Sequence, residues 1–555
     1  MLNKVRYKNF DQIDFTDVLV FSKLPAHPFW SRVQEEIDFS FADRLCAVLY
    51  SGRGQRPYAP SLKLKVHLVQ AYYCLSDRQV EEKIIGDLFV KRFLELPVDF
   101  IGFDHSTIGL DRNRMGETMF RACHLYILAQ LYNKGIWGDH NEQWIIDSFP
   151  TNISMSRHGA FRLIKQAMLR VVNHLKRFAP TSIREAAGQL PLDALTAKLT
   201  KKSTTEERML AFSHLVAQAY GLLHWFENEN VTPQLSEWKS YAKSQELQEV
   251  LRCVLEENSR PYESDEEPTT SSNEESSASN PESQPLLYEK IPRKERPTDR
   301  VEDVIDPEAR TGKKNKSTII KGYKTQNLCT TSGVILDTKV IPANEHDRSA
   351  MSGMIQSIQD FFRHSPQMLL ADSVYGYGQQ RQELAMQGIS LVAPVAKPTN
   401  PTNLFSNTSF TYASDIDAYL CPGGKQSIKK RNQPKLEGAQ YYFDSSDCNA
   451  CSLQTECTTS QNGRTVFRSH YADIYEKANK FNDSLEGISL LQERYTVERK
   501  NNELKNHCKL NKMKVKGRET IQIKALLATI VVNLKHTIRE KFKPMHGFLR
   551  RAKMA

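Results

Sequence analysis

Apolar positions along the chain follow two different periods, and the change of period divides it. Through roughly the first 135 residues they recur every three or four positions, the spacing of one helix face. Pro60 opens such a run over Ser61–Leu75 (SLKLKVHLVQAYYCL). Ser76 and Asp77 then offer an N-cap to residues 78–96 (RQVEEKIIGDLFVKRFLEL), and Asp104-His105-Ser106-Thr107 begins a third helix. Trp144–Asp147 is a short apolar run ending in an acid, after which residues 158–257 return to helical spacing. Beyond residue 300 strand signals take over. Thr318–Thr330 and Val334–Ile341 read as a hairpin around Thr331-Ser332-Gly333, followed by a helix from about Asp347 to Phe362. Met368–Asp372 is a second apolar strand ending in an acid, followed by a helix (GQQRQELAMQ) and a strand (SLVAPV). This order predicts an α/β plan around a mixed sheet.

Composition narrows the class. With 40% hydrophobic residues in 555, the chain can bury a sizeable core, which excludes global disorder and a disulfide-stapled miniature. No run approaches the ~20 apolar residues of a membrane span; the longest is Ala525–Leu534. The start, Met1–Arg6, lacks the apolar stretch of a secretion signal, so a cytoplasmic protein without membrane contact is expected.

The net charge of +10 is uneven. Residues 263–282 hold seven acids and no Lys or Arg, in a stretch too polar to repay its ordering entropy, so 259–300 reads as a disordered linker. The remainder carries +17, and the last 57 residues hold sixteen Lys/Arg against three Glu. That concentration favours a polyanionic partner. Short capped helices in the first 135 residues suit a helix-turn-helix-like DNA reader, and a plain helical bundle fits the same pattern.

Two kinds of site stand out. Asp147 and Asp372 end predicted strands, where α/β sheets place ligands. Glu498 lies on a predicted helix with Arg494 one turn before it on the same face and Lys505 two turns beyond. Three carboxylates meeting at one point suit Mg²⁺, and a pair of such ions stabilises in-line phosphoryl displacement. Separately, Cys421, Cys448, Cys451 and Cys457 fall within 37 residues, in a loop-rich stretch that also holds Lys425, Lys429, Lys430, Arg431 and Lys435. Four thiolates suit tetrahedral Zn²⁺, predicting a zinc-clipped module that touches DNA. The other six cysteines (Cys46, Cys74, Cys123, Cys253, Cys329, Cys508) read as ordinary buried thiols.

These residues resemble a family. The chain is similar to bacterial insertion-sequence transposases of the DDE type. Their helix signature is Tyr, two residues, Arg, three residues, Glu, six residues, Lys; Arg494, Glu498 and Lys505 keep its spacing, with Leu491 at the Tyr position. Ala371-Asp372-Ser373-Val374-Tyr375 resembles the family's second strand end, with Val374 where Gly is usual. Asp147 resembles the first acid, followed here by Ser148-Phe149 instead of Gly-Thr. Asp306–Arg310, Gly322–Lys324 and Pro342–Asp347 also look like family segments, and the stretch from Leu75 to Thr107 resembles the helical domain that precedes the catalytic core.

The resemblance implies an RNase H-like core, a mixed sheet flanked by helices. It implies that Asp147, Asp372 and Glu498 bind two Mg²⁺ or Mn²⁺ ions, and that Arg494 and Lys505 hold DNA phosphates. The implied reaction is cleavage at the element ends, then joining of the freed 3′-OH to target DNA. The implied partners are double-stranded DNA (terminal inverted repeats and target) and further copies of the chain, as a homodimer or larger synaptic complex at the bacterial nucleoid. The expected organisation is an all-α DNA-binding domain (1–135), a first catalytic strand region (136–157), a helical insertion (158–258) and the acidic linker (259–300). Core (301–400), Cys-rich insertion (401–465), catalytic helix and end of core (466–545) and basic tail (546–555) follow. A transposase-derived DNA-binding protein without activity, and a metal-dependent nuclease without strand transfer, are the alternatives.

Overall fold

A computed structural model describes residues 5–541 except 9, 11–13, 52–53, 157, 201, 229–234, 236–237, 263–286, 316 and 397–402. At its centre is the expected mixed sheet. Its main strands are β1 (Trp144–Ile153), β2 (Ile319–Thr330), β3 (Ile335–Pro342), β4 (Met368–Leu370) and β5 (Ser390–Val392). They lie in the order β3-β2-β1-β4-β5; β1, β2 and β3 are antiparallel neighbours, while β4 runs parallel to β1 and β5 to β4. The predicted hairpin is β2–β3, turning at Gly333, whose φ of 104° and N–H to Thr330 carbonyl bond (3.0 Å) close the loop.

Both faces of the sheet are covered, and the alternation along β1 shows by what. Ile145, Phe149 and Ile153 join an apolar cluster with Val497, Leu504, Ile521, Ala525 and Val532 from the C-terminal helices. Trp144 and Ile146 face the other way, into a cluster shared with Leu328, Leu336, Ile355 and the N-terminal helices. A strand covered on both faces reads as a continuous apolar run.

The N-terminal helices are therefore joined to the central sheet through one core. They include Pro60–Tyr73, Asp77–Gly86, Leu88–Leu94 and His105–Asn133. The single helix expected over 78–96 is broken at Asp87, whose carboxylate accepts from the Val90 N–H at 3.1 Å and so caps a new helix. Arg121, on the long helix His105–Asn133, reaches the buried Asp337 of β3 at 2.6 Å.

The helix Arg518–Lys541 lies between these two layers. By length and composition it could cross a membrane, but 78% of its apolar window is buried inside the fold, so it is a core helix. Two of its polar residues work on the sheet edge. β3 pairs with β2 on one side only, leaving backbone groups on the other. Gln522 accepts from the Val340 N–H and donates to the Thr338 carbonyl, both at 2.7 Å. Asn533 does the same with the Ile335 N–H and carbonyl, both at 2.8 Å. The helix thus supplies amides where another strand would have supplied backbone, satisfying groups that are costly to bury unpaired.

The helical insertion has its own core. Ala160–Phe178, Thr205–Glu227 and Tyr241–Asn258 pack around Ile164, Met168, Val171, Leu215, Val216 and Leu251. The linker is narrower than expected. Ser259–Pro261 pairs with Tyr288–Lys290, Tyr288 stacks on Tyr220 at 5.4 Å, and Arg260 bonds Glu289 and Glu295. These contacts anchor both ends, while the acidic residues 263–282 and the basic tail 546–555 lie outside the described residues. The Cys-rich insertion is a small sheet of Lys429–Gln433, Gly438–Tyr442 and Thr465–Ser469, with a hairpin of Thr411–Ala413 and Ala418–Leu420.

Asn533→Leu keeps the side chain's bulk but strands the Ile335 N–H and carbonyl. Loss of about 2–6 kcal/mol in chemical denaturation is expected, since each of the two buried unpaired groups costs about 1–3. Asn533→Gln variants and exposed controls on the same helix set the baseline.

Candidate active site

Asp147 lies at the fourth residue of a ten-residue strand, not at its end as the sequence pattern suggested. β1 continues because Ser148–Asn152 stay paired with β2, Asn152 opposite Gly322. Asp372 does stand just beyond the carboxyl end of β4, two residues after Leu370. Because β4 is β1's parallel neighbour, Asp372 comes close enough for its charge to act on Asp147.

Burial raises the Asp147 pKa from 3.8 to about 6. The Asp372 charge raises it further, against the Ser148 backbone N–H, the Arg494 guanidinium and the Asn501 amide, which favour the ionised form.

The third acid arrives on Tyr495–Asn502, held to the sheet by buried Val497. Asn501, one turn beyond Glu498, donates to the Asp147 carboxylate at 2.8 Å. Glu498 itself is exposed at the surface of this junction. Arg494 is not inside the helix as expected. It is the joint where Leu485–Glu493 ends and Tyr495–Asn502 begins. Among the described residues no ion pair joins it to Glu498, and its charge acts on Asp147 instead. Lys505 sits on a π-turn, Glu503–His507, which rotates it off the line through Arg494 and Glu498. Its Nζ stands 5.9 Å from the Phe149 ring centre. Phe149 shares Asp147's face of β1, two residues or roughly 7 Å along.

A line of buried side chains stands behind Asp147. Asp147, Asn327 and Thr338 are direct cross-strand partners on β1, β2 and β3, so all three point to one face. The Asn327 amide donates to Asn501 Oδ1 at 2.7 Å, Thr338 donates to Asn327 Oδ1 at 2.7 Å, and Thr338 and Thr529 hydroxyls meet at 2.7 Å. Asn327, Thr338 and Thr529 are 0% exposed and Asn501 is 2%. Each amide oxygen accepts from one neighbour and each amide nitrogen donates to the next, which sets both amide orientations and directs an Asn501 N–H at Asp147.

A fourth acid, Asp347, borders the site. Ser148 donates to it at 2.9 Å and Lys324 pairs with it at 2.5 Å. Tyr375 is buried near Asp347, Asp147 and Asp372; burial and those three charges push its phenol well above 10. Sequence reasoning had placed Asp347 and Tyr375 in family-like segments without a site role and had missed Asn327 and Asn501. Asn327 sits in a polar run, Lys324–Asn327, that gave it no local distinction, and Asn501 is an amide one turn past Glu498.

Residues 289–534 match the family model of the transposase DDE domain, and residues 19–114 match that of a transposase domain, DUF772. The chain belongs to the DDE transposase family. No curated protein and no solved structure matches it. The family implies an RNase H-like core and DNA as partner, and the mixed sheet flanked by helices agrees with that core. Asp372, Glu498, Asn327 and Asn501 lie inside the matched DDE segment, whereas Asp147 precedes it.

Transposases of this family generally use Mg²⁺ or Mn²⁺. Asp147 and Asp372 supply the hard carboxylate oxygens that such cations take, and the Glu498 helix meets β1 next to them through Asn501. Among the described residues, no group of three or more His, Cys, Asp or Glu stands in an arrangement that could hold a metal ion. The basic C-terminal stretch is also less free than its charge suggested. Lys516 pairs with Asp303, Arg518 with Glu308 and Lys541 with Glu36, at 2.7–2.9 Å. Those partners were invisible to a local charge count.

In metal-free transposase the raised Asp147 pKa means that the fold favours the protonated acid. Stability then falls as pH rises through the interval from 3.8 to about 6. Asp147→Asn keeps an acceptor for Asn501 without the charge. Its melting temperature is expected to exceed that of the parent at about pH 8 and to match it at about pH 4. Equal melting temperatures at both pH values would contradict the assignment.

Proposed function

We propose that this transposase cleaves DNA at the ends of an insertion element and joins the freed 3′-OH ends to target DNA. Asp147, Asp372 and Glu498 are its catalytic residues and would hold two Mg²⁺ or Mn²⁺ ions. Bound there, the ions would activate the attacking oxygen and neutralise the leaving one. The chain's own residues do the rest. Asn501 fixes the Asp147 carboxylate, and the buried side chains behind it keep that amide from rotating. Arg494 and Lys505 flank the Asp147 face and supply cations for phosphate oxygens, the Arg as a fork and the Lys as a point charge. Water attacks the phosphodiester and the 3′ oxygen leaves as a hydroxyl; that hydroxyl then displaces a 3′ oxygen from a target phosphate. No covalent enzyme intermediate is needed.

The observation that carries this reading is the Asn501–Asp147 hydrogen bond. It anchors the Glu498 helix on the strand of the first acid, inside a chain whose family cuts and joins DNA. The N-terminal helices, tied to the sheet through one core and Arg121–Asp337, are assigned to end recognition. Acting on two ends at once requires a homodimer or larger synaptic assembly.

Purified full-length protein with Mn²⁺, a labelled duplex carrying an element end and a supercoiled target should yield both nicked ends and joined product. Asp372→Ala is expected to remove both while retaining end binding in a gel-shift assay. Cleavage that survives Asp372→Ala would overturn the residue assignment, and nicking without any joined product would favour a nuclease.

A further inference from the structure

The Cys-rich insertion has too little core to explain its order. Phe410, Tyr419, Ala439, Tyr441, Phe443 and Val466 are its buried apolar residues, with Cys421, Cys448 and Cys457 packed half-buried against them. A unit this small with so few buried side chains ordinarily needs a covalent or metal staple. All ten cysteines are free thiols, so no disulfide supplies it.

The four clustered cysteines come from separate pieces of backbone and line one cavity. Cys421 opens a tight turn closed by the Cys421 N–H to Lys425 carbonyl bond (2.8 Å) and by Gly424 at φ 77°. Cys448 lies on the short helix Ser445–Asn449, Cys451 just past it, and Cys457 ends Gln454–Cys457. The cavity they line measures about 30 Å³, room for one ion or a water or two. Gly423 stands between two of them: a methyl group there would lie 3.4 Å from the Cys451 sulfur and 3.7 Å from the Cys421 sulfur.

Three of the sulfurs also accept backbone hydrogen bonds. The Lys425 N–H donates to Cys421 Sγ at 3.3 Å, Leu453 to Cys451 and Arg464 to Cys448, both at 3.4 Å. A neutral thiol is a weak acceptor, whereas a thiolate makes these charge-assisted bonds. Peptide N–H groups directed at three sulfurs of one cavity are the outer contacts that metal-bound thiolates take. Two cations line the same cavity. Lys425 pairs with Asp447 at 2.8 Å, and Arg464 donates to the carbonyls of Cys457 and Phe405 at 2.9 and 2.7 Å.

We propose that Cys421, Cys448, Cys451 and Cys457 bind one structural Zn²⁺. As they stand, the sulfurs share the cavity without metal-holding geometry. Zinc draws them in to Zn–S distances of about 2.3 Å, and the binding energy becomes folding energy of the insertion. The site is independent of the carboxylates. It has a purpose for the transposase, because the clipped unit carries the edge strand Lys429–Gln433, with Lys429, Lys430 and Arg431 exposed. The chain after the insertion also packs on Gly378, at the start of the helix that follows Asp372. Tyr471 lies against Gly378, and the Tyr475 hydroxyl accepts from the Gly378 N–H at 2.8 Å.

The test is the metal content of the full-length protein, purified without chelator or added metal. One zinc per chain is expected, retained in an Asp147→Asn/Asp372→Asn variant and lost in Cys448→Ser/Cys451→Ser. Cobalt exchanged into the parent protein should give thiolate charge-transfer bands and the intense visible bands of a tetrahedral site, a readout that does not depend on the Cys variant folding. Zinc-free parent protein, disulfides among these four cysteines, zinc that survives the double Cys→Ser change, or cobalt spectra without thiolate bands would each overturn the proposal.

Discussion

The outer edge of β3 needs hydrogen-bond partners, and the helix Arg518–Lys541 provides them through Gln522 and Asn533. Buried amides on a core helix are expensive unless each polar atom is paired, and here each bond closes on strand backbone. That requirement fixes the helix's depth and rotation against the sheet. Once it is fixed, Thr529 meets Thr338, and Asn327 and Asn501 are held in line to Asp147. The same helix packs its other side on the N-terminal helices, so one buried element ties those helices, the sheet edge and the candidate active site together.

The site carries an electrostatic tension that a cation would relieve. Asp147 is pushed up by burial and by Asp372, while Asn501, the Ser148 N–H and Arg494 hold it ready to ionise. A lone buried charge would be intolerable and a neutral acid would be a poor ligand; the arrangement sits between the two. Asn501 is positioned by residues that never touch the site, so sequence changes at Thr338 or Thr529 reach Asp147 through orientation alone.

Much of this was legible in the sequence for physical reasons. The strands after residue 300 were legible from the strand patterning that sets in there, and the hairpin at Gly333 from its turn residues. The Arg494, Glu498 and Lys505 spacing pointed to the segment whose Asn501 bonds Asp147. What it could not supply was the break at Arg494 or the π-turn under Lys505, because both depend on how Val497 and Leu504 seat in the core. Asp147 looked like a strand end because Ser148 and Pro150 interrupt the apolar pattern, yet pairing with β2 carries the strand on. Asn327 and Asn501 were unreadable locally. They are 174 residues apart and acquire meaning only when the sheet register and the helix bring them together. The linker's paired ends escaped for the same reason, since Arg260 and Glu289 are 29 residues apart.

The central claim is that the Asp147 strand, Asp372 and the Glu498 helix form one metal centre. Anomalous diffraction from crystals of the protein bound to end DNA and Mn²⁺ tests it most directly. The account predicts two manganese peaks among the carboxylates of Asp147, Asp372 and Glu498, next to the scissile phosphate, with the Asn501 amide still on Asp147. Manganese bound elsewhere, or a Glu498 carboxylate turned away from both ions, would contradict it.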